Sequence, residues 1–331
     1  MGYSDSAALR WGIIGTGSIA KQFGTDLTFS ETGQLVGVAS RSFEKASHFI
    51  TSLENSQSES ITPFGDYSSI LKDPTIEAIY IALPNTLHFE WTAAALRAGK
   101  HVLCEKPLAL NHREAEELFT LADESGVLLM EAFMYLAHPQ TRLLFETVSR
   151  GEIGDLQVIQ INFCFDRPPS KDDARFQANE GGGSLMDVGC YCIDLARNLT
   201  TEEPEKAKGV AHQHESGVDD FFAGSLAFPS GVLASFVCGM TVTTDQITRL
   251  YGTEGWIEIP RFWKAGEGFT IHRPGREPES IFSPTPTPPR PLYAIEADAF
   301  AEVLNGRPNW NPRENTIANL RVIEDLRNQL K

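Results

Sequence analysis

The feature that most constrains the fold is Gly15-Thr16-Gly17-Ser18-Ile19-Ala20. It stands directly behind the apolar run Leu9–Ile14 (LRWGII) and ahead of a helical pattern reaching about Phe29. A GxGxxA segment between a strand and a helix is the context that a dinucleotide-binding turn requires. Gly15 makes the tight turn, Gly17 lets a pyrophosphate approach the backbone, and Ala20 is small enough for the helix to pack on a sheet. The helix N-terminus then offers unpaired N–H groups and the positive end of its dipole to an anion. A chance glycine turn is the alternative, and the flanking strand and helix speak against it.

The next strand spans residues 35–39 (LVGVA) and runs into Ser40-Arg41-Ser42. A site for NAD would place Asp or Glu there to hold the ribose 2′-hydroxyl. A guanidinium between two hydroxyls suits a 2′-phosphate instead, so the expected cofactor is NADP, with NAD as second choice. An exposed arginine in a turn is the plain alternative. Residues 52–62 are polar and Ser-rich and read as a surface loop. Residues 77–83 (EAIYIAL) read as a strand that enters Pro84-Asn85-Thr86-Leu87-His88 and an Ala-rich helix stopped by Gly99. The strand at 101–104 ends in Glu105-Lys106-Pro107, and a helix at 113–125 and a strand at 127–131 follow. This alternation predicts a doubly wound parallel sheet, whose ligands sit beyond the carboxyl ends of the strands. Gly15, Ser40, Asn85 and Lys106 all fall at such ends. Lys106, beside a cofactor and away from water, would depress the pKa of a neighbouring hydroxyl. A surface ion pair with Glu105 is its other reading.

Past Met134-Tyr135-Leu136-Ala137-His138-Pro139 and one more helix, to about Arg150, the pattern changes. Apolar runs at 156–165, 221–228, 232–242 and 248–259 read as strands of a largely antiparallel sheet, with turns at 228–231 and 252–255. Gly181-Gly182-Gly183 opens a helical interruption, 181–194, in which Asp187, Tyr191 and Asp194 are spaced four and three apart on one helical face. That face would present a proton donor and a partner to a substrate. The alternative is a turn followed by a buried helix with Tyr191 as a core aromatic. His212 and His214 lie two apart on an expected strand and share a face, but no third ligand has suitable spacing, so no metal site is expected. A proline-rich connector at 283–291 precedes two helices, 293–305 and 313–330, expected to pack back across both domains.

At 331 residues, 41% hydrophobic and 22% charged, the chain is long enough for two domains with cores of their own. A formal net charge of −16 without a Lys/Arg cluster argues against a nucleic-acid partner. An anionic cofactor then needs local N–H groups or cations to overcome the global field. The five cysteines are odd in number and form no CxxC, which fits reduced thiols in the cytoplasm. Neither a targeting segment nor a membrane span is visible, so no membrane association is expected.

The motifs GTGSIA, PNTLH, EKPL, EAFMYLAHPQ and GGGSLMDVGCYCIDLAR, in this order, resemble the glucose–fructose oxidoreductase / inositol dehydrogenase / MocA family over nearly the whole chain. HESGVDD at 214–220 and YGTEG at 251–255 are similar to its dihydrodiol dehydrogenase and NADP-dependent D-xylose 1-dehydrogenase branch. The resemblance implies an α/β chain: a Rossmann doubly wound parallel sheet at 1–132, then a domain with an open, mostly antiparallel sheet at 133–331, whose outer face makes a homodimer. It implies Lys106 and Tyr191 as the catalytic pair, with Asp187 orienting the substrate or Lys106. Cofactor contacts fall on Gly15, Thr16, Gly17, Ser18, Ile19, Ser40, Arg41, Ser42, Leu83, Pro84, Asn85, His88, Glu105 and Lys106. Substrate contacts fall on Met134, Phe163, Arg175, Asp187, Tyr191 and Trp263. Many inositol dehydrogenases have His where this chain has Tyr191, which weakens that substrate. Tyr135-Leu136 stands where relatives often read Tyr-Arg, so no contact by that arginine carries over. The implied function is hydride transfer between nicotinamide and a C–OH/C=O group of a sugar, polyol or trans-dihydrodiol. A ketosugar or anhydrosugar reductase and a non-catalytic dinucleotide-sensing regulator are the alternatives.

Overall fold

The computed structural model describes residues 8–53, 60–283 and 289–329. Residues 54–59 of the Ser-rich loop and 284–288 of the proline-rich connector lie outside them. The chain forms two compact units, Met1–Ala137 with Pro286–Thr316, and His138–Thr285 with Ile317–Lys331.

The first unit is built on six parallel strands: β1 (Leu9–Ile14), β2 (Gly33–Ala39), β3 (Thr62–Phe64), β4 (Ala78–Ile81), β5 (His101–Glu105) and β6 (Leu129–Ala132). Their order is β3-β2-β1-β4-β5-β6, the doubly wound arrangement with its switch point between β1 and β4. The strands are apolar runs rather than alternating ones because helices cover both faces; all four residues of β4 are buried. The helices are α1 (Ser18–Asp26), α2 (Phe43–Ser52), α3 (Tyr67–Leu71), α4 (Asn85–Arg97), α5 (His112–Ser125) and α6 (Met134–Ala137). Strand β3 was not anticipated: three residues, one of them proline, carry no periodicity, and only pairing to β2 makes them a strand.

Sequence-local chemistry sets the helix ends. Asn111 accepts from the Glu114 amide at 3.0 Å and Glu114 accepts from Leu110 N at 3.0 Å, which pins the start of α5, and Gly126 at φ +67° ends it. The core is closed from far along the chain. Phe23 of α1 stacks on Tyr80 at 3.7 Å, and Trp11 packs against Phe300 at 5.2 Å. Phe300 belongs to a helix at Leu292–Leu304, so the chain returns late to complete this unit. Truncating a fully buried ring of this kind costs about 3–5 kcal/mol.

The second unit begins with α7 (Pro139–Ser149) and holds eight strands: β7 (Leu156–Cys164), β8 (Lys206–Gln213), β9 (Asp219–Ala227), β10 (Leu233–Gly239), β11 (Ile247–Gly252), β12 (Trp256–Pro260), β13 (Phe269–His272) and β14 (Glu279–Ile281). Their order is β14-β13-β12-β11-β7-β10-β9-β8. Only β7 and β10 pair in parallel, so the sheet is mixed and mostly antiparallel. Helix α8 (Cys190–Thr200) packs on one face of β7 and β10. On the other face the period-two alternation leaves Val210, Phe221 and Leu233 exposed. The last two helices are α9 (Leu292–Leu304) in the first unit and α10 (Arg313–Asn328), most of it in the second.

Two expectations need correction. His214 lies past the end of β8, beyond a register shift at His212/Gln213, so the two histidines share no strand face. His212 Nδ1 faces Asp220 at 2.7 Å and His214 Nδ1 faces Ser216 at 2.9 Å. The spacing of Asp187, Tyr191 and Asp194 is not that of one α-helix, because Leu185–Gly189 is a π-turn feeding into α8. Asp187 stays half-buried while Asp194 is fully buried, so the three do not share one environment.

Candidate active site

The turn after β1 has the geometry its sequence demands. Gly15 adopts φ +113°, and a Cβ there would stand 2.2 Å from the Ala82 carbonyl oxygen. Only glycine allows both the left-handed backbone and this approach. Gly17 is different: its φ is −79° and a Cβ would meet nothing within 4 Å. No side chain caps α1 and no acidic residue stands in its first turn. The N–H groups of Ser18 and Ile19 therefore begin a helix whose positive end lies beside open space, the geometry that receives a pyrophosphate.

At the end of β2, buried Ser40 lies 3.3 Å from the Thr16 hydroxyl, tying the two strand ends together. Arg41 is exposed. Ser42 caps α2, accepting from Lys45 N at 3.3 Å, so its side chain serves the helix start. Between α1 and α2 lies a cleft of about 480 Å³ bordered by Thr16, Gly17, Ser18, Lys21, Glu44, Lys45 and His48, in which Glu44 offsets part of the lysine charge. In a chain of net charge −16, two lysines beside the glycine turn supply the local cation that an anionic ligand needs. Sequence reading missed Lys21, Lys45 and His48. The available signal was the Ser42 cap followed by an amphipathic helix, which puts Lys45 in its first turn.

The ends of β4 and β5 are clamped to each other. His88, fully buried, faces the Leu83 carbonyl through Nε2 and the Pro107 carbonyl through Nδ1, each at 2.8 Å. Burial pushes its imidazole toward the neutral form, against the pull of the two carbonyls. His88 thus stands between the backbones of the segments that carry Leu83 and Lys106, with one N–H to donate to one of the two carbonyls in its neutral form. Pro84 caps α4 with no side-chain hydrogen bond, and Asn85 opens its first turn just past the end of β4. Glu105 is buried. Its carboxylate accepts from the Tyr80 hydroxyl and, at 3.3 Å, from the Lys106 amide. Lys106 follows at once, half-buried. Met134 is buried in α6 of this same unit.

The second unit carries Tyr191. The glycine run before it is held by Asp219: its carboxylate accepts from Ser184 Oγ and from Leu185 N, both at 2.7 Å. Gly183 at φ +116° would place a Cβ 2.2 Å from Asp219 Oδ1, so the third glycine is required there. Burial pushes the Asp219 carboxyl up while these hydrogen bonds oppose it. The π-turn that follows forgoes regular α geometry, a cost that tends to persist where a side chain must be aimed. Tyr191 stands directly behind it, packed edge-on against Phe163 at 5.3 Å. Phe163 in turn stacks face to face with Trp263 at 3.5 Å. Arg175 donates from Nε to Asp187 Oδ2 at 3.0 Å and from Nη1 to Asp173 at 3.1 Å. The Asp187 charge is the main cause that holds this guanidinium above its ordinary value. The structure therefore gathers Phe163, Arg175, Asp187, Tyr191 and Trp263 in one unit, with Phe163 central to the rings and Asp187 to the charges. Asp219 stands in the HESGVDD motif, which by itself gives it no role: it reaches the turn through its place at the start of β9.

Residues 9–133 match the GFO_IDH_MocA description, an oxidoreductase family with an NAD-binding Rossmann fold, and residues 141–258 match the GFO/IDH/MocA C-terminal domain. The trans-1,2-dihydrobenzene-1,2-diol dehydrogenase of Mus musculus is 36% identical over 263 residues, covering 78% of this chain and 77% of that protein. The D-xylose 1-dehydrogenase (NADP(+)) 2 of Haloferax volcanii is 32% identical over 323 residues, 96% of each. Among solved structures, a 3-ketoreductase from Actinomadura kijaniata in complex with NADP and TDP-benzene superimposes with a TM-score of 0.86 at 29% identity, covering 98% of both chains. That ketoreductase has also been solved with one tyrosine or one lysine replaced.

Proposed function

We propose, for a chain that belongs to the GFO/IDH/MocA oxidoreductase family, that it moves a hydride between the nicotinamide of NADP(H) and a C–OH/C=O carbon of a sugar, polyol or trans-dihydrodiol. The observation that carries this reading is Tyr191, aimed by a π-turn and backed by the Phe163–Trp263 stack, in a chain that also holds Lys106 at the end of β5. The mouse and Haloferax relatives act on substrates of these classes, and the latter carries NADP in its name.

The cofactor fits the residues present. The uncapped start of α1 and the open space over Gly17 would receive the pyrophosphate, and Arg41 with Lys45 would answer a 2′-phosphate. When bound, it supplies the hydride acceptor. This chain's own residues handle the proton. In oxidation Tyr191, as phenolate, takes the hydroxyl proton. A phenol's ordinary pKa of about 10 is too high for that at neutral pH, and the family resemblance gives Lys106 the role of stabilising the phenolate. Asp187, fixed by Arg175, accepts from a substrate hydroxyl and orients it. The stacked rings offer a flat apolar wall to the face of a sugar or diol ring.

The likeness to the Actinomadura ketoreductase supports a second reading, reduction of a ketosugar by the same pair of residues. We further read the protein as cytoplasmic and homodimeric. All five cysteines are buried free thiols, and the exposed Val210, Phe221 and Leu233 share the uncovered sheet face that a second copy would bury.

The test is formation or loss of NADPH absorbance with a panel of aldoses, inositols, trans-dihydrodiols and ketosugars, run beside NAD⁺. Turnover of one class with NADP⁺, reduced about 10²–10⁴-fold in Tyr191→Phe with unchanged melting, supports the assignment. Near-normal turnover in that variant overturns it.

A further inference from the structure

Glu296 is a buried charge without a stated purpose. It sits in α9, fully buried, and neither carboxyl oxygen has a hydrogen-bond partner among the described residues. An ionised carboxylate left so would cost several kcal/mol, so the group must be neutral or must be compensated. No cation compensates it: among the described residues, Glu105 is the one charged group that bears on it electrostatically. Around the pair stand Tyr80 from β4, which donates to Glu105, Tyr293 from α9 itself, and Asp26 from α1 beyond Tyr293. Lys21, also on α1, is exposed and borders the cofactor cleft. Tyr135 is the titratable residue on α6, which packs against α9. The two glutamates are not equivalent. Glu105 accepts hydrogen bonds from a phenol and a backbone amide, which favour its anion. Glu296 receives none.

We propose that Glu296 holds a proton in the folded protein while Glu105 stays ionised, and that Glu296 is thereby a positioning residue that adds no further negative charge to the surroundings of Glu105 and Lys106. A buried carboxyl with no hydrogen-bond donor takes the proton before one that accepts from a phenol and an amide. Ionising Glu296 as well would subtract from the positive potential of Lys106 and raise the pKa of the phenol it stabilises. This last step rests on the catalytic reading of Lys106 given above; the placement of the proton does not.

Burial, then the Glu105 charge, pushes the Glu296 carboxyl well above its ordinary value. A carboxyl raised in this way binds more protons folded than unfolded. Its contribution to stability is full below the unfolded value of about 4.3 and is lost as pH rises toward the folded value. Glu296→Gln keeps the shape of the neutral acid and cannot ionise. Buried His88, His101 and His138, which burial pushes the other way, act alike in both proteins and cancel in the comparison.

The experiment records thermal melting of the full-length protein and of Glu296→Gln from pH 5 to pH 9, with Glu105→Gln as the second variant. The Glu296→Gln curve should rise above that of the parent as pH increases, by about 2 °C or more at the alkaline end. In Glu105→Gln the alkaline decline should be shallower than in the parent. Parallel curves, or a Glu296→Gln variant that melts lower throughout, overturn the proposal. The same proteins then give pH profiles of kcat/KM. An alkaline fall of about threefold in the parent, absent from Glu296→Gln, is expected; superimposable profiles overturn the link to Lys106. Failure of the catalytic reading is distinguished by Lys106→Ala, which would then retain turnover whatever the melting curves show.

Discussion

Arg175 Nε donates to Asp187 Oδ2 at 3.0 Å, and that single bond joins a loop residue to the π-turn four residues before Tyr191. The pair is only partly shielded, with the Arg175 side chain 36% and Asp187 15% exposed, so it contributes to stability by about 1 kcal/mol or less. Its larger consequence is orientation. Asp187→Asn should lower kcat/KM by about 10-fold or more while moving the melting temperature little. Steady-state kinetics beside a melting curve checks this, and equal losses in both would show the pair to be structural.

Gly15 and Gly17 stand two residues apart in one motif yet should fail differently. Gly15→Ala forces a Cβ onto the Ala82 carbonyl at φ +113° and should destabilise the first unit by about 2–4 kcal/mol. Gly17→Ala meets open space at φ −79° and should cost under about 1 kcal/mol, as expected for a helix cap. Its loss should appear as weakened NADPH binding, about 10-fold or more. Melting curves and a fluorescence titration on both variants separate the two effects.

Arg41 and Lys45 lie at the end of β2 and the start of α2 with no acidic residue in the 40–43 turn to hold a ribose diol. Arg41→Ala should weaken NADP⁺ by about 10–100-fold, the worth of a charge-assisted hydrogen bond, and leave NAD⁺ unchanged. Parallel titrations with the two nucleotides measure it. Equal weakening of both would remove the arginine from the 2′-phosphate.

All five thiols are buried, and burial pushes Cys164 up to about 11 and raises Cys104, Cys192 and Cys238 well above the ordinary thiol value. The thiolate, which is the reactive form, is therefore scarce at pH 8. A thiol reagent should label the native protein slowly and all five positions promptly in denaturant. Rapid labelling of the native protein would show that the π-turn region opens readily.

Features set by neighbours along the chain can be read from the residues alone. The strand–GxGxxA–helix turn is legible because Gly15 must take a left-handed φ and Ala20 must be small, and both are properties of single residues. The alternation of strand and helix through Ala132, and the period-two runs of the second sheet, follow from which side chains one element can bury. The EKP lysine and the tyrosine behind three glycines stand out as a pair only through the resemblance to the family.

Tertiary structure alone decided the rest, because burial and pairing join residues that the chain keeps far apart. Asp219 becomes the clasp of the glycine turn only when β9 pairs beside it. The π-turn at 185–189 replaces the α-helical spacing that the sequence suggested for Asp187 and Asp194. Residues 62–64 become a strand only through β2. Glu296 reads in the sequence as one more polar position of a helix, and it is the packing of α9 around Phe300 against Trp11 that buries it near Glu105. A carboxyl's charge depends on its solvent and its neighbours, and neither is written in the residues beside it.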